Sequence, residues 1–188
     1  MSAHSSDNYA ELLWKELGAP AGQAGNTGAS AAAADSINAL RIRELCRQDP
    51  EALSRDPTNE LRVHVWAALL LGCQVGTMTK LDATADSTNP AQGEQTPPLP
   101  PCREQHVLEN DVLRTRADMP VFRTSEATSL MLRLLQSFCL KQKIEYKQGM
   151  NEILAPFIYL CGIQPQPRVA LCSGLFEAMV VRYLERFY

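Results

Sequence analysis

Hydrophobic positions along this chain recur with the period of a helix rather than that of a strand. Between residues 61 and 71, aliphatic side chains and Trp66 return every three or four positions until Gly72 ends the run. Two longer runs, at 125–143 and 168–188, keep the same period, and Ser125 is expected to cap the start of the first. No stretch alternates between apolar and polar residues as a half-buried strand would. The pattern therefore predicts an all-α fold, with Trp66 as a large anchor of its core.

Residues 1–54 differ in composition from the rest and are predicted to form an N-terminal region. A short amphipathic segment at 9–17 is followed by a stretch at 19–35 that is rich in Ala, Gly and Ser, which is typical of a flexible linker. A helix is expected at 36–49, because the residue before Pro50 disfavours the helical conformation. The pattern leaves open whether the 9–17 segment docks on the domain or on a partner, and docking on the domain is favoured.

Residues 55–188 are predicted to form one helical domain that is interrupted by a polar insert at 74–104. The insert ends in the proline-rich stretch 96–101, which favours an extended polyproline II conformation. A loop of this length without secondary structure is uncommon inside a compact domain. We expect a disordered surface insert, and the alternative is a segment that docks into an aromatic groove of a partner.

A polar turn at 146–149 leads directly into an apolar run at 150–161. The spacing of the run predicts a buried helix, and Gly149 and Asn151 stand where the chain needs conformational freedom to enter it. Gln148 would then project from a rigid helix entrance, which suits a polar group that acts on something outside the protein. A glutamine in such a turn is more often a solvated residue or a cap, so the turn alone decides nothing.

Composition and charge exclude several classes of function. The 188 residues are 45% hydrophobic with a net charge of −3, which gives no reason to expect nucleic-acid binding. No apolar stretch approaches the ~20 residues of a membrane helix, and the N-terminus lacks the basic segment and apolar run of a secretory signal. The six cysteines have no paired spacing, so we expect reduced thiols and a cytoplasmic protein.

Candidate chemistry is sparse, because the sequence holds no nucleotide-binding loop and no nucleophile elbow. Its three histidines are scattered, so neither a metal nor a cofactor of its own is expected. Two polar features remain: Asp111 stands three residues before Arg114, where it can orient the guanidinium, and Gln148 stands on its turn. An arginine and an amide supplied in trans have a defined use in GTP hydrolysis, where charge spreads over phosphoryl oxygens and a water must be held in line.

Three stretches of the chain resemble, in order, the motifs of the TBC-domain family, the GTPase-activating proteins for Rab-type small GTPases. Residues 108–115 match its IxxDxxR motif, with Leu in place of Ile, and residues 146–152 match its YxQG motif with the Met-Asn-Glu that commonly follows. Residues 61–72 are similar to its opening motif through Arg62, Trp66 and Gly72. Three motifs in this order, with helices between them, identify residues 55–188 as similar to a TBC domain.

The resemblance implies an all-helical TBC fold and a mechanism with two fingers. By motif position, Arg114 would be the arginine finger and Gln148 the glutamine finger. The supporting residues would be Asp111, which holds the arginine, the following Thr115, and the turn residues Tyr146, Gly149 and Asn151.

The resemblance also implies a partner and a place in the cell. The partner would be a Rab-type small GTPase in its GTP form, and the GTP and magnesium would belong to that partner. The chain would then be an enzyme activator rather than an enzyme, acting in vesicle trafficking and intracellular protein transport. It would work in the cytoplasm, with peripheral attachment to endomembranes as an option.

The sequence departs from the family in two respects. Where the family often has an aromatic residue and a proline directly after the Arg-Thr pair, residues 116–119 intervene before Pro120. A TBC domain usually continues through several helices beyond the part that residues 55–188 resemble, so we expect an incomplete domain. Two alternatives stay open: a TBC-type adaptor that binds GTPases or trafficking proteins without catalysis, and a chain that does not fold alone, because its last helix is apolar on more than one face.

Overall fold

The structure, a computed structural model, describes residues 7–18, 39–72, 99–163 and 167–187. Within these ranges it contains eight α-helices and no strand, so the predicted all-α fold is confirmed. The helices pack as two compact units, one within residues 1–80 and the other within residues 81–188.

The first unit is built from four helices, α1 (Asp7–Glu16), α2 (Ala39–Gln48), α3 (Ala52–Arg55) and α4 (Glu60–Leu71). Helix α1 packs against the other three, which confirms that the N-terminal amphipathic segment docks on its neighbours. The core of the unit is one aliphatic cluster of fully buried side chains: Leu13, Leu17, Ile42, Leu45, Ala52, Leu61, Val65 and Ala68.

Trp66 lies at the edge of this core, so the prediction that it anchors the centre is wrong. Its side chain is half-buried and packs against the cluster from outside, because Leu61, Val65 and Ala68 occupy the inward face of α4. Trp14 makes an aromatic contact between α1 and α4: its ring meets that of His64 edge to face, with centroids 5.0 Å apart.

The second unit contains α5 (Gln105–Arg114), α6 (Ser125–Gln142), α7 (Met150–Phe157) and α8 (Val169–Tyr183), with 3-10 turns at Pro120–Arg123 and Glu185–Phe187. Helix α6 contacts both α5 and α7, α5 contacts α7 directly, and α7 packs against α8. Phe138 of α6 meets Phe176 of α8 edge to face, with ring centroids 4.9 Å apart. This packing places the end of α5 beside the start of α7.

Helix α6 starts as predicted but is capped one residue earlier. The cap is Thr124 rather than Ser125: the backbone of Thr124 is extended, and its Oγ1 accepts a hydrogen bond of 3.2 Å from the Ala127 N–H. Both residue types are good caps, and only the backbone conformation distinguishes them. The helix ends at Gln142, next to the predicted position, and the left-handed backbone of Lys143 (φ 56°) terminates it.

The buried helix predicted at 150–161 changes its hydrogen bonding before it ends. It is α-helical to Phe157 and continues as a π-helical turn at Ile158–Gly162. Pro156 lies in the last α-helical turn, where its missing N–H removes one i to i−4 hydrogen bond just before the change. Gly162 allows the turn to pack closely, since a Cβ there would lie 2.8 Å from a side-chain carbon of Leu130.

Some predictions fall on residues that the structure does not describe. The linker at 19–35 lies outside the described ranges, and so does the insert as far as residue 98; its last part, 99–104, ends in a turn that leads into α5. The boundary predicted between residues 54 and 55 falls inside α3, which packs against α4 in the first unit, and it stays a prediction.

Replacing Leu13 with alanine tests whether the N-terminal helix is part of the first unit. Leu13 is fully buried, so Leu13→Ala should lower the free energy of unfolding by about 2–5 kcal/mol. Urea denaturation followed by tryptophan fluorescence measures this, because both tryptophans of the chain, Trp14 and Trp66, belong to that unit. Leu40→Ala is the matched control: Leu40 is 77% exposed and should change stability by no more than about 0.5 kcal/mol. Equal effects of the two substitutions would contradict the docked position of α1.

Candidate functional site

The last turn of α5 presents an exposed arginine on a buried carboxylate. Asp111 is 4% exposed, and its Oδ1 accepts a hydrogen bond of 2.8 Å from Nη2 of Arg114, one turn further along the helix. The Arg114 side chain is 70% exposed, and its Nε donates to the carbonyl of Asn110 at 3.2 Å. Two fixed acceptors on the protein side therefore orient a guanidinium that faces solvent.

The other oxygen of the same carboxylate reaches the turn before α7. The hydroxyl of Tyr146 lies 3.0 Å from Oδ2 of Asp111 and 3.0 Å from Oδ1 of Asn151. A phenol has one proton to donate, so these two acceptors share it. Asp111 thus joins the arginine of α5 to the segment that carries Gln148, two residues beyond Tyr146.

Asn151 closes the connection from the side of α7. Its Oδ1 accepts a hydrogen bond of 3.2 Å from the Gly149 N–H, and its Nδ2 donates to Oγ1 of Thr115 at 2.8 Å. The Thr115 hydroxyl in turn donates to the backbone carbonyl of Asp111 at 2.7 Å. We call Asp111, Thr115, Tyr146 and Asn151 the Asp111 network; all four are buried.

Gly149 and Asn151, the two residues expected to give the turn at 146–149 its conformational freedom, have different roles in the structure. Gly149 has φ +99°, a conformation that side chains rarely adopt, although a Cβ there would meet no atom within 4 Å. Asn151, in contrast, has an ordinary helical position within α7, so its expected backbone role is wrong and its contribution comes from the side chain. Gln148 is exposed at the tip of the turn.

The protonation of Tyr146 keeps the network intact. Burial raises the pKa of its hydroxyl well above the ordinary value of 10.0, and the hydrogen bond to Asp111 and the charge of that carboxylate raise it further. The phenol therefore remains a donor throughout the neutral pH range.

The segment after Arg114 is a compact loop tied to α7. Arg116 has the left-handed φ of +47°, which is uncommon for a residue other than glycine, and its Nε lies 2.9 Å from Oε2 of Glu152. Arg123 Nε donates to the carbonyl of Ala117 at 2.5 Å. The residues that intervene before Pro120 therefore fold back as a bridge toward α7, a contact for which the sequence holds no signal.

The residues of the first motif lie in the other unit. Arg62 is at the edge of that unit's core, where its guanidinium donates to Asn59 Oδ1 at 2.9 Å and to the Leu53 carbonyl at 3.1 Å. Gly72 ends α4 with φ 70°. With the half-buried Trp66, these residues hold the first unit together, and the Asp111 network is built without them.

Metal and membrane chemistry find no support in the part of the chain that is described. There, no group of three or more His, Cys, Asp or Glu side chains is arranged to hold a metal ion. Of the helices described, none pairs the length with the apolar character that a bilayer crossing demands. Five cysteines carry free thiols, and burial raises the pKa of Cys139 to about 11.

Comparison with known proteins gives one match. The family model described as Rab-GTPase-TBC domain matches residues 59–188, which is more than half of the chain and includes the whole Asp111 network. No curated protein and no solved structure matches the sequence.

Replacing Asn151 with alanine tests whether the network holds the second unit together. Asn151→Ala removes the donor to the Thr115 hydroxyl oxygen and the acceptor of the Gly149 N–H, so we expect a loss of about 1–3 kcal/mol in the free energy of unfolding. Far-UV circular dichroism in urea measures it. Glu152→Ala is the matched control in the same helical turn, since it removes only an exposed ion pair worth about 0–1 kcal/mol. A smaller loss for Asn151→Ala than for Glu152→Ala would contradict the role given to Asn151.

The raised pKa of Tyr146 makes stability sensitive to alkaline pH. The unfolded tyrosine loses its proton near pH 10.0, whereas the folded one keeps it to higher pH, so stability is complete below pH 10.0 and falls as the pH rises above it. The free energy of unfolding of the wild type should therefore decline more steeply above about pH 10 than that of Tyr146→Phe, which cannot ionise. Parallel pH profiles of the two proteins would overturn this assignment.

Proposed function

Because the chain belongs to the Rab-GTPase-TBC domain family, we propose that it stimulates GTP hydrolysis by a Rab-type small GTPase and supplies Arg114 and Gln148 in trans. The observation that carries the proposal is the Asp111 carboxylate, which binds Arg114 with one oxygen and Tyr146 with the other. The residues of two separate motifs thereby meet in one buried network beneath two exposed side chains. Such an arrangement suits a site whose reacting partner arrives from outside.

Arg114 has the chemistry that the phosphoryl transfer step demands. Charge spreads over the phosphoryl oxygens in the transition state, and a guanidinium offers a permanent positive charge with a planar fork of donors. Its Nε and one Nη already bond to the chain, which restricts the side chain before the partner binds. An arginine supplied in trans accelerates small GTPases by about 10³–10⁵, so orientation of this one side chain accounts for most of the proposed effect.

Gln148 would act on the attacking water. A side-chain amide both donates and accepts hydrogen bonds, so it can hold a water in line with the phosphoryl group. The turn beneath it is held on both sides, by Tyr146 on Asp111 and by the Gly149 N–H on Asn151. Gln148 is exposed, and a rigid turn reduces the conformational freedom that the amide must lose on reaching the water.

The proposal assigns the nucleotide to the partner. The GTPase in its GTP form would bring both the GTP and its magnesium ion, and this chain would contribute an arginine and an amide. The corresponding cellular role is termination of Rab signalling in vesicle trafficking, which places the chain in the cytoplasm or peripherally on endomembranes. Catalysis therefore requires the complex and neither protein alone.

Substitution of the two fingers tests the mechanism directly. Arg114→Ala should lower the stimulated kcat by about 10³ or more, and Gln148→Ala by about 10² or more. KM for the GTPase should change little, because both groups act in the transition state. GTP hydrolysis by a panel of purified Rab proteins, measured with increasing amounts of the chain, gives both parameters.

Two control variants sharpen this experiment. Arg114→Lys keeps the charge but loses the planar fork, so most of the stimulation should still be lost. Lys147→Ala removes an exposed neighbour of Gln148 and should keep the wild-type kcat. Unchanged stimulation in Arg114→Ala would contradict the two-finger mechanism. If the wild-type chain binds a Rab protein without accelerating its GTP hydrolysis, the chain is a non-catalytic adaptor instead.

A further inference from the structure

An apolar groove lies beside the proposed arginine finger. It has a volume of about 190 Å³ and is lined by Arg116, Met119, Phe122, Ala155, Pro156 and Tyr159. One wall is the loop that follows Arg114, and the other is the second half of α7 with the first turn of the π-helical segment. Apart from Arg116, every lining side chain is aliphatic or aromatic.

The charge at the groove is neutralised from within the chain. Arg116 pairs with Glu152 at 2.9 Å, so the guanidinium is matched by a carboxylate from α7. A phosphate or an acidic peptide would have to compete with that carboxylate. The lining therefore favours an uncharged, apolar occupant.

Chain connectivity keeps the groove close to both fingers. Arg116 is two residues from Arg114, so their Cα atoms are at most about 7.6 Å apart. Pro156 lies six residues after Met150, at the start of α7, which is about 9 Å along the helix axis. A protein interface of ordinary size buries about 800 Å² on each partner, and such an area extends well beyond these distances. The groove therefore lies within reach of an interface that is centred on the two fingers.

A second exposed apolar side chain belongs to Leu113, the residue directly before Arg114 in the sequence. Leu113 is 68% exposed, although the preceding residues Asp111 and Val112 are buried. Its exposure gives no benefit to the isolated chain, because apolar side chains stabilise a fold through their burial. Along the sequence, apolar side chains therefore stand on both sides of the finger, at Leu113 before it and at Met119 and Phe122 after it.

We propose that the groove receives one apolar side chain of the Rab-type GTPase and that Leu113 packs against the same partner beside Arg114. The proposal rests on the proposed function, since it assumes that the GTPase meets the two fingers. The volume supports a single side chain, because pockets for free ligands usually have about 300–1,000 Å³. The groove and Leu113 would set affinity and choice of GTPase, while the fingers set the rate of hydrolysis.

The test separates affinity from rate with two pairs of variants. Met119→Gln puts a polar group of similar length into the groove, and Met119→Leu keeps it apolar. Leu113→Ser removes the exposed leucine, and Leu140→Ser is its matched control on α6, a helix that lines no part of the groove. Kd is measured for a panel of Rab proteins loaded with a non-hydrolysable GTP analogue, and kcat is measured at saturating concentrations with GTP.

Met119→Gln and Leu113→Ser should each raise Kd about tenfold, which is the smallest effect usually seen when a contact in an apolar pocket is lost. Both variants should leave kcat at saturation unchanged. Met119→Leu and Leu140→Ser should bind as the wild type does. Leu113 is exposed, so a change in Kd for its variant cannot come from loss of the fold.

Several results would overturn the inference. Unchanged Kd in both Met119→Gln and Leu113→Ser, with stimulation still lost in Arg114→Ala, rejects the docking surface and leaves the proposed function standing. If no Rab protein binds the wild type, both proposals fall together. Sedimentation of the chain without a GTPase tests for self-association. If the wild type sediments as an oligomer and either variant as a smaller species, a second copy of this chain covers the surface and the GTPase does not.

Discussion

One buried carboxylate, that of Asp111, determines how the second unit is arranged. A carboxylate removed from water needs hydrogen-bond partners, because burial of an unpaired charge costs far more than a single contact returns. Its two oxygens take Arg114 from its own helix and Tyr146 from a turn that lies 35 residues away in sequence. Arg114 reaches one oxygen of the carboxylate from within α5, and the other oxygen accepts its hydrogen bond from Tyr146. The end of one helix and the beginning of another are therefore held side by side.

The side chains of the site fall into two groups: buried ones that stabilise the fold, and exposed ones that are available to a partner. Asp111, Thr115, Tyr146 and Asn151 are buried and bond to one another, so each of them contributes to the fold. Arg114 and Gln148 are exposed, so their functional groups remain open to solvent. Arg114 also belongs to the fold, because its guanidinium pairs with the buried carboxylate of Asp111. This division lets the chain present a charged fork and an amide at fixed positions without burying either of them.

Prediction from the sequence succeeded where the cause is local and failed where it is not. The i,i+3 pair of Asp111 and Arg114 follows from helix geometry, and Gly149 follows from the demand of the turn for a positive φ. The side-chain role of Asn151 depends on Thr115, which is remote in sequence, and no periodicity reports such a contact. Trp66 was misplaced for a related reason: its size suggests a core position, but three smaller residues already fill the inward face of α4. The loop bridge from Arg116 to Glu152 left no pattern to find.

The spacing within the Asp111 network also limits how the chain can change in length. Asp111 and Arg114 occupy the last turn of α5 and Thr115 follows it directly, and each residue added within the helix would rotate all later positions by about 100° around its axis. One insertion between positions 111 and 115 would swing the guanidinium away from its carboxylate and the threonine away from Asn151. The same holds for 146–151, where the phenol and the asparagine amide must reach the network together. These two short windows, 111–115 and 146–151, therefore tolerate no insertion or deletion.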